Sequence, residues 1–274
     1  MRLRRSSIHR IVTPNSQSDW LFVIPGLLLV LLLGLPLLAL FLRAAGGDFF
    51  GYALSETALS ALQLSLVTSL ISLTISLLIG TPLAYILARW EFPGRAALEL
   101  LLDLPVVLPP SVAGLALLIA FGRRGLFGGW LDALGIQLPF TTAAVVIAQT
   151  FVSAPLFVRS ARIGFASIDP QLEEAAHVEG ATQVQMFTLV MFPLAGRALI
   201  SGAILAWTRA LGEFGATILF AGNLEGVTQT MPLAIYLSFE RNLDVAVVLS
   251  VVLVLVSLIL LGVMRKLDES QQHH

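Results

Sequence analysis

Residues 169–195 read DPQLEEAAHVEGATQVQMFTLVMFPLA. Asp169 followed by Pro170 is a helix-start signal, and Gln171, Leu172, Glu173, Glu174, Ala175 and Ala176 continue it as helix formers. Gly180 then punctuates the run before a second amphipathic stretch that reaches Pro193. The segment lies between apolar runs at about 141–158 and 198–220, each close to the length that crosses about 30 Å of hydrocarbon as a helix. It therefore reads as a helical loop of about 169–195 held between two membrane spans, the longest of the loops expected on the cytoplasmic side.

Working outward, the same criterion yields six candidate spans in 274 residues, at about 21–42, 59–87, 98–121, 141–158, 198–220 and 243–264. With 57% hydrophobic residues, 12% charged residues and a mean hydropathy of +0.90, the bilayer is the main solvent of this chain. If the chain starts inside, eleven of its sixteen basic residues fall on the starting side: Arg2, Arg4, Arg5, Arg10, Arg89, Arg95, Arg159, Arg162, Arg197, Arg265 and Lys266. Arg43, Arg123, Arg124 and Arg241 fall outside, and Arg209 lies within the fifth span. That bias predicts that both termini are cytoplasmic. The first run, preceded by basic residues and followed by Ala44, Ala45 and Gly46, could also read as a cleaved signal peptide, but its apolar core is longer than the usual 7 to 15 residues. It is taken as an anchor at about 21–42, with a core at about 56–265, in a single membrane domain spanning residues 1–274.

The spacing inside the loop is Glu174-Ala175-Ala176, three residues, Gly180, nine residues, then Val190, Met191, Phe192 and Pro193. It resembles the signature of ABC-transporter importer permeases, Glu-Ala-Ala, three residues, Gly, nine residues, Ile, any residue, Leu-Pro, with Val190 and Phe192 as apolar departures. The resemblance implies an all-α, polytopic fold of the type I, MetI-like kind, and it assigns Glu174, Ala175, Ala176, Gly180 and Pro193 to coupling with an ATPase subunit. An ordinary interfacial loop would account for Leu172, Val178 and Phe187 but not for the joint spacing. The chain is not expected to be an enzyme. Its one lysine is Lys266, and no glycine-rich loop ending in Gly-Lys-Ser/Thr occurs to hold nucleotide phosphates. The resemblance implies a second copy of this chain, two ATPase subunits carrying ATP and Mg, and an extracytoplasmic binding protein that delivers substrate.

Two spans carry the candidate pathway. The fifth contains Arg209-Ala210-Leu211-Gly212-Glu213-Phe214-Gly215-Ala216-Thr217, which places two opposite charges near the bilayer midplane, where each costs on the order of 2.5 to 3.5 kcal/mol. Arg209 and Glu213 are one helical turn apart, so they read either as a self-neutralising ion pair or as groups beside a pathway. Gly212 and Gly215 allow close helix approach or a local break. The third span contains Pro105, Pro109 and Pro110, which must kink or unwind it, with or without substrate contact.

The fifth-span fragment looks like that of the molybdate and sulfate branch of these permeases. Gly122-Arg123-Arg124-Gly125, Ala221-Gly222-Asn223 and Thr228-Gln229-Thr230-Met231-Pro232 look more like molybdate permeases than sulfate ones. The resemblance thus implies molybdate uptake across a bacterial inner membrane, with sulfate, tungstate or another oxyanion as the alternative. Arg123 and Arg124 could steer an anion, meet the binding protein or form a solvated turn. His9, His177, His273 and His274 have no metal-ligand spacing, and the absence of cysteine excludes thiolate sites and disulfides. No cofactor is expected on the chain itself. A net charge of −1 gives no reason to expect a nucleic-acid partner, and membrane lipid is the expected surrounding. An intramembrane enzyme is poorly supported without cysteine or a histidine inside any span, and a channel or secondary transporter would have no use for the coupling loop.

Overall fold

A computed structural model describes residues 20–270. In chain order the helices are α1 (Trp20–Ala45), α2 (Phe49–Ala53), α3 (Glu56–Arg89), α4 (Arg95–Val107), α5 (Pro110–Phe121), α6 (Gly128–Ala133), α7 (Thr142–Ala166) and α8 (Pro170–Val178). After them come α9 (Gln183–Gln185), a π-helical turn (Met186–Met191), α10 (Phe192–Leu194), α11 (Gly196–Leu211), α12 (Gly215–Phe220), α13 (Met231–Arg241) and α14 (Leu243–Ser270). Among the described residues there is no strand. The basic residues Arg2, Arg4, Arg5 and Arg10, with His9, His273 and His274, lie outside the described residues, and the side chain of Arg265 is not described.

The described residues fall into two compact units, one ending at Gly47 and the other beginning at Asp48. The first contains the anchor helix α1, apolar all round and exposed from Leu21 to Ala39, as befits a helix whose solvent is lipid. The second is built around α7, which packs against α3 on one side and α11 on the other. Small residues make that possible. A Cβ on Gly80 would stand 2.8 Å from Phe157 Cδ1, and one on Gly202 would stand 2.9 Å from Ser160 Cβ. Gly164 meets Ala198, and Ser160 Oγ donates to the Ala198 carbonyl at 2.9 Å. Close approach of this kind is what associates helices where lipid leaves no hydrophobic drive between them.

Among the described residues four helices are individually long and apolar enough to cross a membrane, and two bent pairs raise the number to six if each pair counts as one span. Three expected spans correspond to α1, α3 and α14, and a fourth to α7. The third is not a kinked rod: α4 and α5 meet at 118°, so the chain turns back on itself. Leu108 and Pro109 are both extended, as the residue before a proline prefers, and Pro110 then opens α5 at a position where its missing N–H costs nothing. The fifth stops at Leu211 and resumes at Gly215, while α11 also pairs across a 72° bend with residues 183–194.

Replacing Gly202 with valine should cost about 1–3 kcal/mol through overpacking, read as a lower unfolding temperature in detergent. Gly262→Val, which meets nothing within 4 Å, should leave that temperature unchanged.

Candidate functional site

The interruption of the fifth span is held by one carboxylate. Gly212 closes α11, Phe214 adopts non-helical dihedrals of −127° and −55°, and α12 begins at Gly215. Between them Glu213 is 1% exposed; its Oε2 lies 2.6 Å from Arg209 Nη1, and its Oε1 accepts from the Ala216 N–H at 2.7 Å. The side chain therefore reaches back to the last turn of α11 and forward to the first turn of α12. Both charges suit the helix dipoles, a cation at a C-terminus and an anion at an N-terminus. The one-turn spacing gave the ion pair, but the break lets the same carboxylate splint two helix ends. Phe214 adds a ring contact with Tyr236 of α13 at 5.3 Å.

The broken third span meets this junction. A Cβ on Gly215 would lie 2.5 Å from Pro110 Cβ, and one on Gly114 would lie 2.7 Å from the Ala216 carbonyl oxygen. Pro110, Gly215, Glu213 and Arg209 are thus brought to one place, with Pro109 capping α5 beside them. Gly212 differs, because a Cβ there would have only the Thr208 carbonyl at 3.6 Å and its φ of −89° is open to any residue.

The sequence reading missed a buried polar seam. Ser65, Thr68, Ser69, Ser72 and Ser76 of α3 are fully or almost fully buried. Ser65 accepts from the Met231 N–H at 2.7 Å, Ser69 from the Trp207 indole at 3.0 Å, and Ser72 from Thr150 at 3.1 Å. The helical spacing of these hydroxyls within an apolar run was the available signal. Gln149 on α7 is fully buried, and neither of its side-chain polar atoms has a hydrogen-bond partner among the described residues.

The loop motif folds as its spacing predicts. Asp169 caps α8 by accepting from the Gln171 N–H at 3.0 Å, and Gly180 sits at φ +84°, the left-handed conformation that ends the helix. Thr182 and Gln185 form a reciprocal capping box for the next turn. Glu174, Ala175 and Gly180 are exposed, Val178 is 89% exposed, and Ala176 packs against the core. Pro193 sits in the first turn of α10, next to the fully buried Met191. The departure residues keep apolar roles: Val190 packs on the core and Phe192 makes a ring contact with Phe187 at 6.2 Å.

Beyond α5, Arg123 and Arg124 are both exposed, and Arg123 lines a cavity of about 310 Å³ together with Asp132, Gln137 and Phe140. Phe140 packs against Gly222, whose φ of +73° and lack of a side chain both suit the contact. Gln229 donates to Asn223 at 3.0 Å and Thr228 accepts from the Leu224 N–H at 2.8 Å, so the two polar motifs after the fifth span form one network.

Helices fit to span a bilayer, together with two bent pairs and a capped, unburied helix in the loop, mark a multi-pass membrane protein. The chain belongs to the family described as binding-protein-dependent transport system inner membrane component, whose model matches residues 80–272. It is 41% identical over 251 residues to the molybdenum transport system permease protein ModB of Mycobacterium tuberculosis, covering 91% of this chain and 95% of that one. It is 34% identical over 251 residues to a probable sulfate transport system permease protein of Nephroselmis olivacea, covering 90% and 88%. The fold matches the crystal structure of a bacterial ABC transporter involved in alginate import with a TM-score of 0.76 at 19% identity, covering 93% of this chain and 96% of that one. The chain is accordingly a membrane component of a binding-protein-dependent transport system.

Removing the Glu213 carboxylate as Glu213→Ala leaves the one-third-exposed Arg209 without its partner and the buried Ala216 N–H without its acceptor, a change expected to cost about 1–3 kcal/mol and to depress both membrane yield and transport. At the neighbouring glycines the outcomes should split: Gly215→Val abolishes transport by driving α12 off Pro110, and Gly212→Ala keeps at least half of it, as measured by substrate uptake in proteoliposomes.

Proposed function

We propose that this chain is the transmembrane subunit through which molybdate enters the cell, working as two copies with two separate ATPase subunits and an extracytoplasmic binding protein. The observation that carries the substrate reading is the 41% identity with a molybdenum permease along 91% of the chain. Sulfate is the second reading, favoured by the 34% identity with a probable sulfate permease over nearly the same length. Tungstate, which shares size and charge with molybdate, is expected to compete. The permease binds no cofactor; ATP and Mg belong to the ATPase subunits.

In this reading α8 is the coupling helix. Glu174, Ala175 and Val178 present its exposed face to a cleft of the ATPase, and the Gly180 turn returns the chain to the bundle. Basic residues gather on the side of the bundle that carries α8: Arg89 ends α3, Arg95 opens α4, and Arg159 and Arg162 lie in the C-terminal part of α7 ahead of its last turn, which supports a cytoplasmic assignment for that side and for both termini. The substrate route runs past the junction of Arg209, Gly212, Glu213 and Gly215 with Pro109 and Pro110. Broken backbone is tolerated at membrane depth where it is buried in protein or lines a water-filled cavity, and a doubly charged oxyanion needs such a polar route to avoid hydrocarbon.

Proteoliposomes holding the chain with its ATPase and binding protein should take up radiolabelled molybdate only when ATP is present. Tungstate should block that uptake and excess sulfate should not. Efficient competition by sulfate moves the assignment to sulfate, and uptake indifferent to ATP sinks the proposed mechanism. Removing residues 174–180 should abolish both ATPase association and uptake while the protein still inserts in the membrane.

A further inference from the structure

The carboxylate that α8 turns toward the bundle is Glu173, one residue before the glutamate of the Glu-Ala-Ala run. Glu173 Oε1 lies 2.7 Å from Arg89 Nε, with the two side chains 20% and 12% exposed. Arg89 is the last residue of α3, and its Nη2 also donates to the Ile168 carbonyl at 2.7 Å, just beyond the end of α7. One guanidinium thereby joins three elements, the ends of α3 and α7 and the first turn of α8. Lysine, a single point charge, could not serve a carboxylate and a carbonyl through two separate nitrogens in this way.

The contact matters because α8 has little else to hold it. None of its nine residues is buried, and Ala176 is its apolar contact with the core. A load arriving on the exposed face must cross to the bundle through whatever resists sliding, and one methyl group resists poorly. A partly buried ion pair, whose guanidinium is also hydrogen-bonded to the Ile168 carbonyl, resists better. The following segment has a grip of another kind: the Phe187 ring lies 5.1 Å from that of Tyr85 on α3, which in turn lies 5.6 Å from that of Phe165 on α7.

We propose that the Arg89–Glu173 pair is the strut through which movement of α8 reaches α3 and α7, with both side chains acting as positioning residues. The inference rests on reading α8 as the helix that docks the ATPase. It separates two jobs that a nine-residue helix must do: the outward face carrying Glu174 and Val178 binds the ATPase, and Glu173 on the inward side delivers the stroke.

The test uses the full complex in proteoliposomes with wild type, Glu173→Gln, Arg89→Lys and the reversed pair Arg89→Glu with Glu173→Arg. Three quantities are read: ATPase subunits retained, ATP hydrolysed, and oxyanion taken up per ATP, with molybdate, tungstate and sulfate assayed in parallel so that the wild type fixes the anion used. Glu173→Gln should retain the ATPase and hydrolyse ATP within about twofold of wild type, while uptake per ATP falls about fivefold or more. Arg89→Lys should fall less, and the reversed pair should recover part of the loss, as a direct pairing requires. A wild-type ratio in Glu173→Gln overturns the strut. Loss of ATPase association in step with uptake also overturns it, leaving the pair as a support for the loop fold. A wild-type complex that fails to retain the ATPase instead removes the reading of α8 itself, and the strut with it.

Discussion

The constraint on which this structure depends is that a backbone broken inside a membrane must find its hydrogen bonds within the protein. Helix α11 ends at Leu211 and α12 starts at Gly215, which leaves orphan carbonyls on one side and orphan amides on the other. Glu213 takes up one of those amides with one oxygen and holds Arg209 with the other. The second break, at Leu108 and Pro109, is positioned by the first, because Gly215 admits Pro110 at a distance no side chain would allow. Two weaknesses of the chain are therefore packed together, and α7, pressed between α3 and α11, supplies the rigid frame against which they are held.

Legibility in the sequence followed the range of the forces involved. Hydropathy is a local sum, so the helices α1, α3, α7 and α14 could be read from composition alone. Proline and glycine chemistry is local as well, which is why the interruption near Pro109 and the turn at Gly180 are legible where they occur, while Gly212 and Gly215 read equally as a close approach or a break. The angle between α4 and α5 was not legible. Two extended residues permit many directions, and packing against α12 selects one of them.

The partners of charged and polar groups were legible only when they lay one turn apart. Arg209 with Glu213 could be read from spacing, but Arg89 with Glu173 joins residues brought together by the whole bundle. Glu174 drew the reading because the family signature contains it, and the structure leaves it exposed while its neighbour makes the inward contact. The hydroxyls of α3 were hidden for another reason. Within an apolar run, serine and threonine can return their protons to the carbonyl one turn back, as Ser76 does to Ser72 at 2.8 Å, so a span tolerates them without any visible interruption.

The charge state of the junction bears on how an oxyanion could pass it. A lone arginine in a site of low effective dielectric would attract a dianion with several times the strength it has in water, and a tightly held substrate leaves slowly. Arg209 is already compensated by a carboxylate that is 1% exposed, so its net field is small, while its own side chain remains 32% exposed and able to donate hydrogen bonds. That combination is suited to a route and unsuited to a storage site. It offers oriented donors without a deep electrostatic well. Under the proposed function, selection among oxyanions of similar size would fall to the protein that delivers them, and the task left to this chain would be to move the paired breaks when α8 is displaced.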